Sequence, residues 1–254
     1  MTVFQRVVKY CAMAFAVYLV VLIFGGILAA VGGLSFFSDR FGGKEEPGEA
    51  KSYTVSQEIG EIDIDLGAVD CDIVTGEGFS VESNSSKLEV NDSNGRLVIT
   101  DSTRNPKSPV KVKISVPANA DIRRIDITAG AGDIYAESLV CSSLSLECGA
   151  GDVEIAEAVA TVKADIEGGV GEITVGSGTL NDLDLEMGMG SLKLTNRLRG
   201  ECDLEFGVGD ADITLIGTAE DYSINYDSDG DSSRTSVNID KGIGTVKIEY
   251  AQAG

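Results

Sequence analysis

The chain has 254 residues, 41 acidic against 20 basic side chains, a net charge of −21, and no histidine or tryptophan. So acidic a surface repels nucleic acid and anionic headgroups, and the missing histidine removes every His-dependent triad, general base and metal site. This length accommodates one membrane segment and one sizeable domain.

The first nine residues carry Arg6 and Lys9 and no acid, and the run from Tyr10 to Phe37 carries no charge at all. That run exceeds the ~20 residues needed to span hydrocarbon. It predicts a transmembrane signal-anchor helix over 10–37, with residues 1–9 cytoplasmic by the positive-inside rule and the rest of the chain extracytoplasmic. A cleaved secretory signal would need an apolar region of only ~7–15 residues before its small-residue site. The one candidate site, Ala30-Val31-Gly32, lies too deep in the run for that. Residues 38–52, rich in Gly, Lys and Glu with Pro47, read as a polar linker.

From residue 53 to 250 the pattern is a repeat. Gly-x-Gly recurs at Gly130, Gly149, Gly169, Gly188 and Gly207, in steps of 19, 20, 19 and 19 residues. Take the first glycine of each unit as position 0. Position −5 is then Ile125, Leu144, Ala164, Leu183 and Cys202, and position +4 is Ile134, Val153, Ile173, Leu192 and Ala211. Positions −3 and +6 are also apolar, with polar residues between. Strict alternation on both sides of a glycine predicts two strands, each with one buried face, joined by a sharp bend. Weaker copies centre on Gly67 and Gly242. Further strand-like runs stand at Phe79–Glu82, Leu88–Val90, Leu97–Thr100, Val110–Val116 and Tyr222–Tyr226, with a hairpin turn at Ser93-Asn94-Gly95. The same residue class at the same place in every unit favours an all-β parallel solenoid of single 19–20-residue coils over an antiparallel meander.

The run Val112–Pro117, the spaced Gly-Asp-Ile and Gly-Asp-Val steps, and Glu220-Asp221-Tyr222-Ser223 resemble a bacterial family known as the putative-adhesin domain, β-strand-repeat proteins of unknown function often tethered to the envelope. The resemblance covers nearly all of 53–250. It implies a right-handed β-helix-like fold and an envelope setting, and it carries over no catalytic residues. Ser191 and Thr245 depart from the family's usual Asp, and Val69 from its second glycine.

Three outward columns are acidic. Position +3 reads Asp133, Asp152, Glu172, Ser191 and Asp210; position −2 reads Thr128, Glu147, Glu167, Glu186 and Glu205; position −4 reads Asp126, Ser145, Asp165, Asp184 and Asp203. Carboxylates stacked at ~4.8 Å repel by about 0.9 kcal/mol per pair in water before screening. Two readings stand. One is Ca²⁺ bound by Asp133, Asp152, Glu172 and Asp210; the other, which is favoured, is a solvated face screened by salt. The loop Asp227–Ser232 lacks the glycine and glutamate an EF-hand needs at its sixth and twelfth positions, and reads as a polar turn. Cys71, Cys148 and Cys202 fall on inward or bend-lining positions and Cys141 in a connecting segment. Cys148 and Cys202 stand about three coils, roughly 14 Å, apart, so no disulfide is expected. Met187 and Met189, flanking Gly188, read as gap-fillers.

The composite expectation is a membrane-anchored, non-enzymatic domain that binds or scaffolds at the cell envelope, adhesin-like, with no required cofactor and an envelope protein or polysaccharide as partner. The alternatives are an envelope-stress or regulatory membrane component and, less favoured, a polysaccharide-active β-helix enzyme. Such an enzyme needs a base, and cations on the regular coils are few.

Overall fold

Residues 50–106, 108–226 and 235–252 are described by a computed structural model. The expected anchor helix at 10–37 and the acidic loop at 227–232 lie outside these residues, and no described helix is long and apolar enough to cross a membrane. The first half contains β1 (Lys51–Thr54), β2 (Glu61–Ala68), β3 (Asp70–Gly76), β4 (Ser80–Ser83), β5 (Leu88–Ser93), β6 (Arg96–Asp101), β7 (Lys111–Pro117), β8 (Arg124–Ala131) and β9 (Ile134–Ala136). Then follow β10 (Leu139–Ala150), β11 (Val153–Asn181), β12 (Leu183–Arg199), β13 (Glu201–Ile216), β14 (Tyr222–Tyr226), β15 (Thr235–Ile243) and β16 (Val246–Ala251). The described residues are all-β, and their one 16-stranded sheet winds back on itself, solenoid-like.

The sequence register is the register of pairing. On the first face, Leu144 lies beside Ile125 and Ala164, Ala164 beside Leu183, and Cys202 beside Val237. On the second face, Val153 pairs with Ile134, and Leu192 with both Ile173 and Ala211. All these coil-to-coil pairings are parallel, which excludes a meander. A third face, not foreseen from the sequence, pairs Leu139–Cys141 with Ala158–Ala160 and Leu180 with Leu198. Cys141 is thus buried in a strand rather than placed in a connection. The inward residues of the three faces form one core.

Coils follow one another in sequence order only from β8 to β13. At the N-terminal end, β6 stacks on β2 and β7 on β3, while β2 also stacks on β8 and β3 on β9. The earliest coil is therefore the second layer, and the later strands β6 and β7 lie outside it. The C-terminal end mirrors this: β15 lies between β13 and β14, so the chain reaches its outermost strand before its inner one. An open coil end would expose both a sheet edge and the apolar interior. Antiparallel strands border the N-terminal end, with β4 beside β7, β1 beside β4, and β5 beside β6 through the positive-φ turn Asn94-Gly95. Both end segments carry family-like sequence: Val112–Pro117 lies in β7, and Tyr222 opens β14 and donates its hydroxyl to the Ile216 carbonyl at 2.8 Å.

The bend between the first two faces explains the glycines. A Cβ on Gly169 would stand 2.2 Å from the carbonyl oxygen of Gly149, and one on Gly207 2.3 Å from that of Gly188. The second glycine of each unit is more constrained still. Gly190 has φ +148° and a Cβ there would meet the Gly171 oxygen at 1.8 Å. Backbone stacks directly on backbone along this line, leaving no room for any side chain.

Candidate functional site

The three acidic columns meet three different fates. At +3 the carboxylates form a ladder with the next coil's main chain: Asp133 Oδ1 accepts from the Asp152 N–H at 3.0 Å, Asp152 Oδ1 from the Glu172 N–H at 2.9 Å, and Asp210 Oδ1 from the Thr245 N–H at 2.8 Å. A short acidic side chain here supplies an acceptor where the positive-φ glycine interrupts the regular strand. Glu172 departs from the ladder and pairs with Lys193 Nζ at 2.5 Å. That bond, with the Lys193 charge and hydroxyls from Thr174 and Ser191, lowers its pKa from the ordinary carboxylate range. Asp133, Asp152 and Asp210 are thus brought into line but each has an oxygen engaged, and no group of three acids or thiols among the described residues is placed to hold a metal ion.

At −4 every carboxylate has a side-chain partner. Arg124 bonds Asp126 at 2.6 Å, Arg96 bonds Asp63, Lys163 lies between Asp165 at 3.3 Å and Asp184 at 3.9 Å, and Asn238 donates to Asp203 at 2.7 Å.

The −2 column is bare. Glu147, Glu167, Glu186, Glu205 and Asp240 follow one another along the first face, and no described side chain pairs with them. Burial against the coil, then Glu186 and the other neighbouring carboxylates, raise the pKa of Glu167. Glu205 is raised by the same causes. Beside this rail the glycine column leaves a channel of about 470 Å³, floored by Gly149, Gly169, Gly188, Gly207 and Gly242, with Cys148, Met187 and Phe206 below them.

Next along each coil from the floor glycines, position +1 forms an apolar rail. Ala131 pairs with Ala150, Ala150 with Val170, Val170 with Met189, Met189 with Val208, and Val208 with Ile243. All face outward, and the last four are 40%, 46%, 43% and 63% exposed. With Ala68, which pairs with Ala131, the rail has seven members. It spans about 29 Å at the ~4.8 Å strand spacing.

The thiols add no chemistry here. Cys71, Cys141, Cys148 and Cys202 are free and buried. Burial pushes the Cys71 and Cys141 thiols up to about 12 and Cys202 to about 11, far from a reactive thiolate.

Residues 54–249 match the model of the Toastrack DUF4097 family. The chain belongs to this family. No curated protein is significantly similar to it in sequence. Among solved structures, it is similar to a putative lipid binding protein from Parabacteroides distasonis, at 13% identity and TM-score 0.43, over 83% of this chain and 98% of that one. It is also similar to a putative adhesin from Bacteroides fragilis, at 16% identity and TM-score 0.40, over 80% of this chain and 99% of the other. A putative cell adhesion protein from Clostridium sporogenes is similar at 13% identity and TM-score 0.36, over 80% and 99%.

Sequence reasoning about this Toastrack domain picked out the acids and missed the apolar rail. The signal was present: parity places +1 outside, yet the residues there are Ala, Ala, Val, Met, Val and Ile. Of the two methionines, Met187 fills the floor as expected, while Met189 points outward as part of the rail.

Proposed function

We propose that this chain is a non-enzymatic binding or scaffolding protein of the cell envelope, and that the glycine-floored channel is its binding face. In this reading residues 1–9 are cytoplasmic, 10–37 span the membrane as a signal-anchor helix, 38–52 form a linker, and 53–250 form an extracytoplasmic domain. The coil is taken as a right-handed parallel β-helix, the hand that parallel crossovers adopt.

One observation carries the proposal: a column of carboxylates with no countercharge lines a glycine-floored channel, and the position after each floor glycine stacks into a column of exposed apolar side chains. A contiguous exposed apolar strip rimmed by charge is a surface built for contact. Its length of seven coils suits an extended polymer, an envelope protein or polysaccharide, that offers hydrogen-bond donors to one rail and an apolar face to the other. No lysine or arginine lines the channel to serve as the base of a lyase. Ca²⁺ is not required by this reading.

The test is a photo-crosslinking residue at Val170, Met189 or Val208 in the intact protein, irradiated in its own membrane. A residue at exposed Glu154, on the second face, is the control. The expected result is one envelope protein or polysaccharide captured from all three rail positions and not from Glu154. Equal capture from Glu154 refutes the assignment of the face.

A further inference from the structure

The inverted order of the first coils leaves the third face unfinished. Its first strand segment is Leu139–Cys141, paired on one side with Ala158–Ala160. The two layers beyond it, β2/β3 and β6/β7, send no strand there, because β3 leads into antiparallel β4 and β7 leads into the crossover to β8. The crossover, residues 118–123, passes across the gap with one tight turn, the Ala120 N–H to the Pro117 carbonyl.

Beneath it lies a cavity of about 490 Å³, which reaches Ile62, Ile64 and Ile125 on the inner side of the first face. Those three, with Ile73, Ile114 and Leu139 behind the walls, are core side chains only 0–4% exposed, and the apolar surface a ligand can reach is that of Val74, Val116, Pro117, Ala120 and Val140. This volume lies within the range of small-ligand pockets, which combine an apolar body with a few polar groups at one end. The polar end is the mouth. Glu137 accepts the Thr75 N–H at 2.8 Å, and Glu157 accepts the Ser138 hydroxyl at 2.8 Å, so each has a second oxygen to offer. No lysine or arginine lines the cavity.

We infer that this gap is a binding site for a small amphiphile, an apolar chain that lies between the crossover and the third face and a cationic or hydrogen-bond-donating head held at Glu137 and Glu157. The chemistry excludes a fatty-acid anion, whose carboxylate would meet two glutamates and no cation. The site opens at the unfinished third face, away from the bend, and stands independently of the channel proposed as the binding face.

The test uses the full chain in its own membrane and a photoactivatable octylamine, with adducts mapped by peptide mass spectrometry. Labelling is expected on peptides carrying Ile73, Ile114 or Leu139, saturable, and protected by octylammonium. Ala118→Trp, at an exposed position on the rim, should raise the octylammonium concentration for half-protection about tenfold or more. Val140→Trp, on the opposite rim, does the same by a second route should the first variant fold poorly. Glu137→Gln with Glu157→Gln should keep the labelling but remove the preference for octylammonium over octanol. Labelling that never saturates, or that both tryptophan variants leave unchanged, overturns the site. Equal protection by octanoate overturns the head-group assignment.

Discussion

Gly190→Ala tests the physical account of the bend most directly. Gly190 has φ +148°, in a region open essentially to glycine alone, and forcing another residue there costs roughly 1–3 kcal/mol. The new methyl would also lie 1.8 Å from the Gly171 carbonyl oxygen. That atom is backbone, held by its own coil, so relief requires the coils to part; overpacking of this kind costs roughly 1–3 kcal/mol. The sum is roughly 2–6 kcal/mol, a large share of the roughly 5–15 kcal/mol by which an ordinary domain is stable. Gly60 is the internal control, since its nearest neighbour to an added Cβ is the Arg123 side chain at 3.5 Å. Gly60→Ala should stay within about 0.5 kcal/mol of the parent, or gain slightly through the unfolded chain. Urea unfolding followed by far-ultraviolet circular dichroism measures both. If Gly190→Ala loses no more than Gly60→Ala, backbone-on-backbone stacking is not what the glycines provide.

Two further predictions concern the acids. Asp152→Ala removes the acceptor for the Glu172 N–H and should cost about 1–2 kcal/mol, while Asp152→Asn, which keeps an oxygen in place, should cost less than half of that; equal losses would mean the ladder bond contributes nothing. Glu167 and Glu205 have pKa values raised in the folded state. The folded state therefore holds those protons more tightly, so stability falls as pH rises from the ordinary carboxylate range through the raised values, and the penalty is complete at neutral pH. Glu167→Gln should raise the urea midpoint at neutral pH, and its advantage should vanish in acid and shrink at high salt. A midpoint below the parent's at neutral pH would contradict the account by burial and like charge.

The limits of the sequence reading can be traced to particular residues. Strands, register and inward faces were legible because alternation and the glycine period are local signals, and the pairing of Leu144 with Ile125 and Ala164 follows from them alone. The layer order at the ends was not. Ile62 and Val237 carry the same period as every other coil, and only long-range pairing places β6 outside β2 and β14 outside β15. The third face escaped for a different reason: its inward residues, Leu139, Ala158, Leu180 and Leu198, stand at offsets of 9, 9, 11 and 10 from their glycines, so no fixed column marks it.

The acid columns show the same limit at the site itself. Asp133, Asp126 and Glu147 are alike as letters in a repeat. What separates them is the partner one coil away or two residues along the strand: a main-chain N–H for Asp133, a guanidinium for Asp126, and for Glu147 only more carboxylate along the rail. A carboxylate already accepting a backbone hydrogen bond, or already neutralised, has little left to offer a ligand. One that stands beside its own kind with no countercharge gains from any donor or cation that arrives. The −2 rail is therefore the column whose cost in the free protein a partner can remove. It is also the column that lines the glycine-floored channel, so the stacking that denies side chains to the bend creates the face on which the proposed function places its partner.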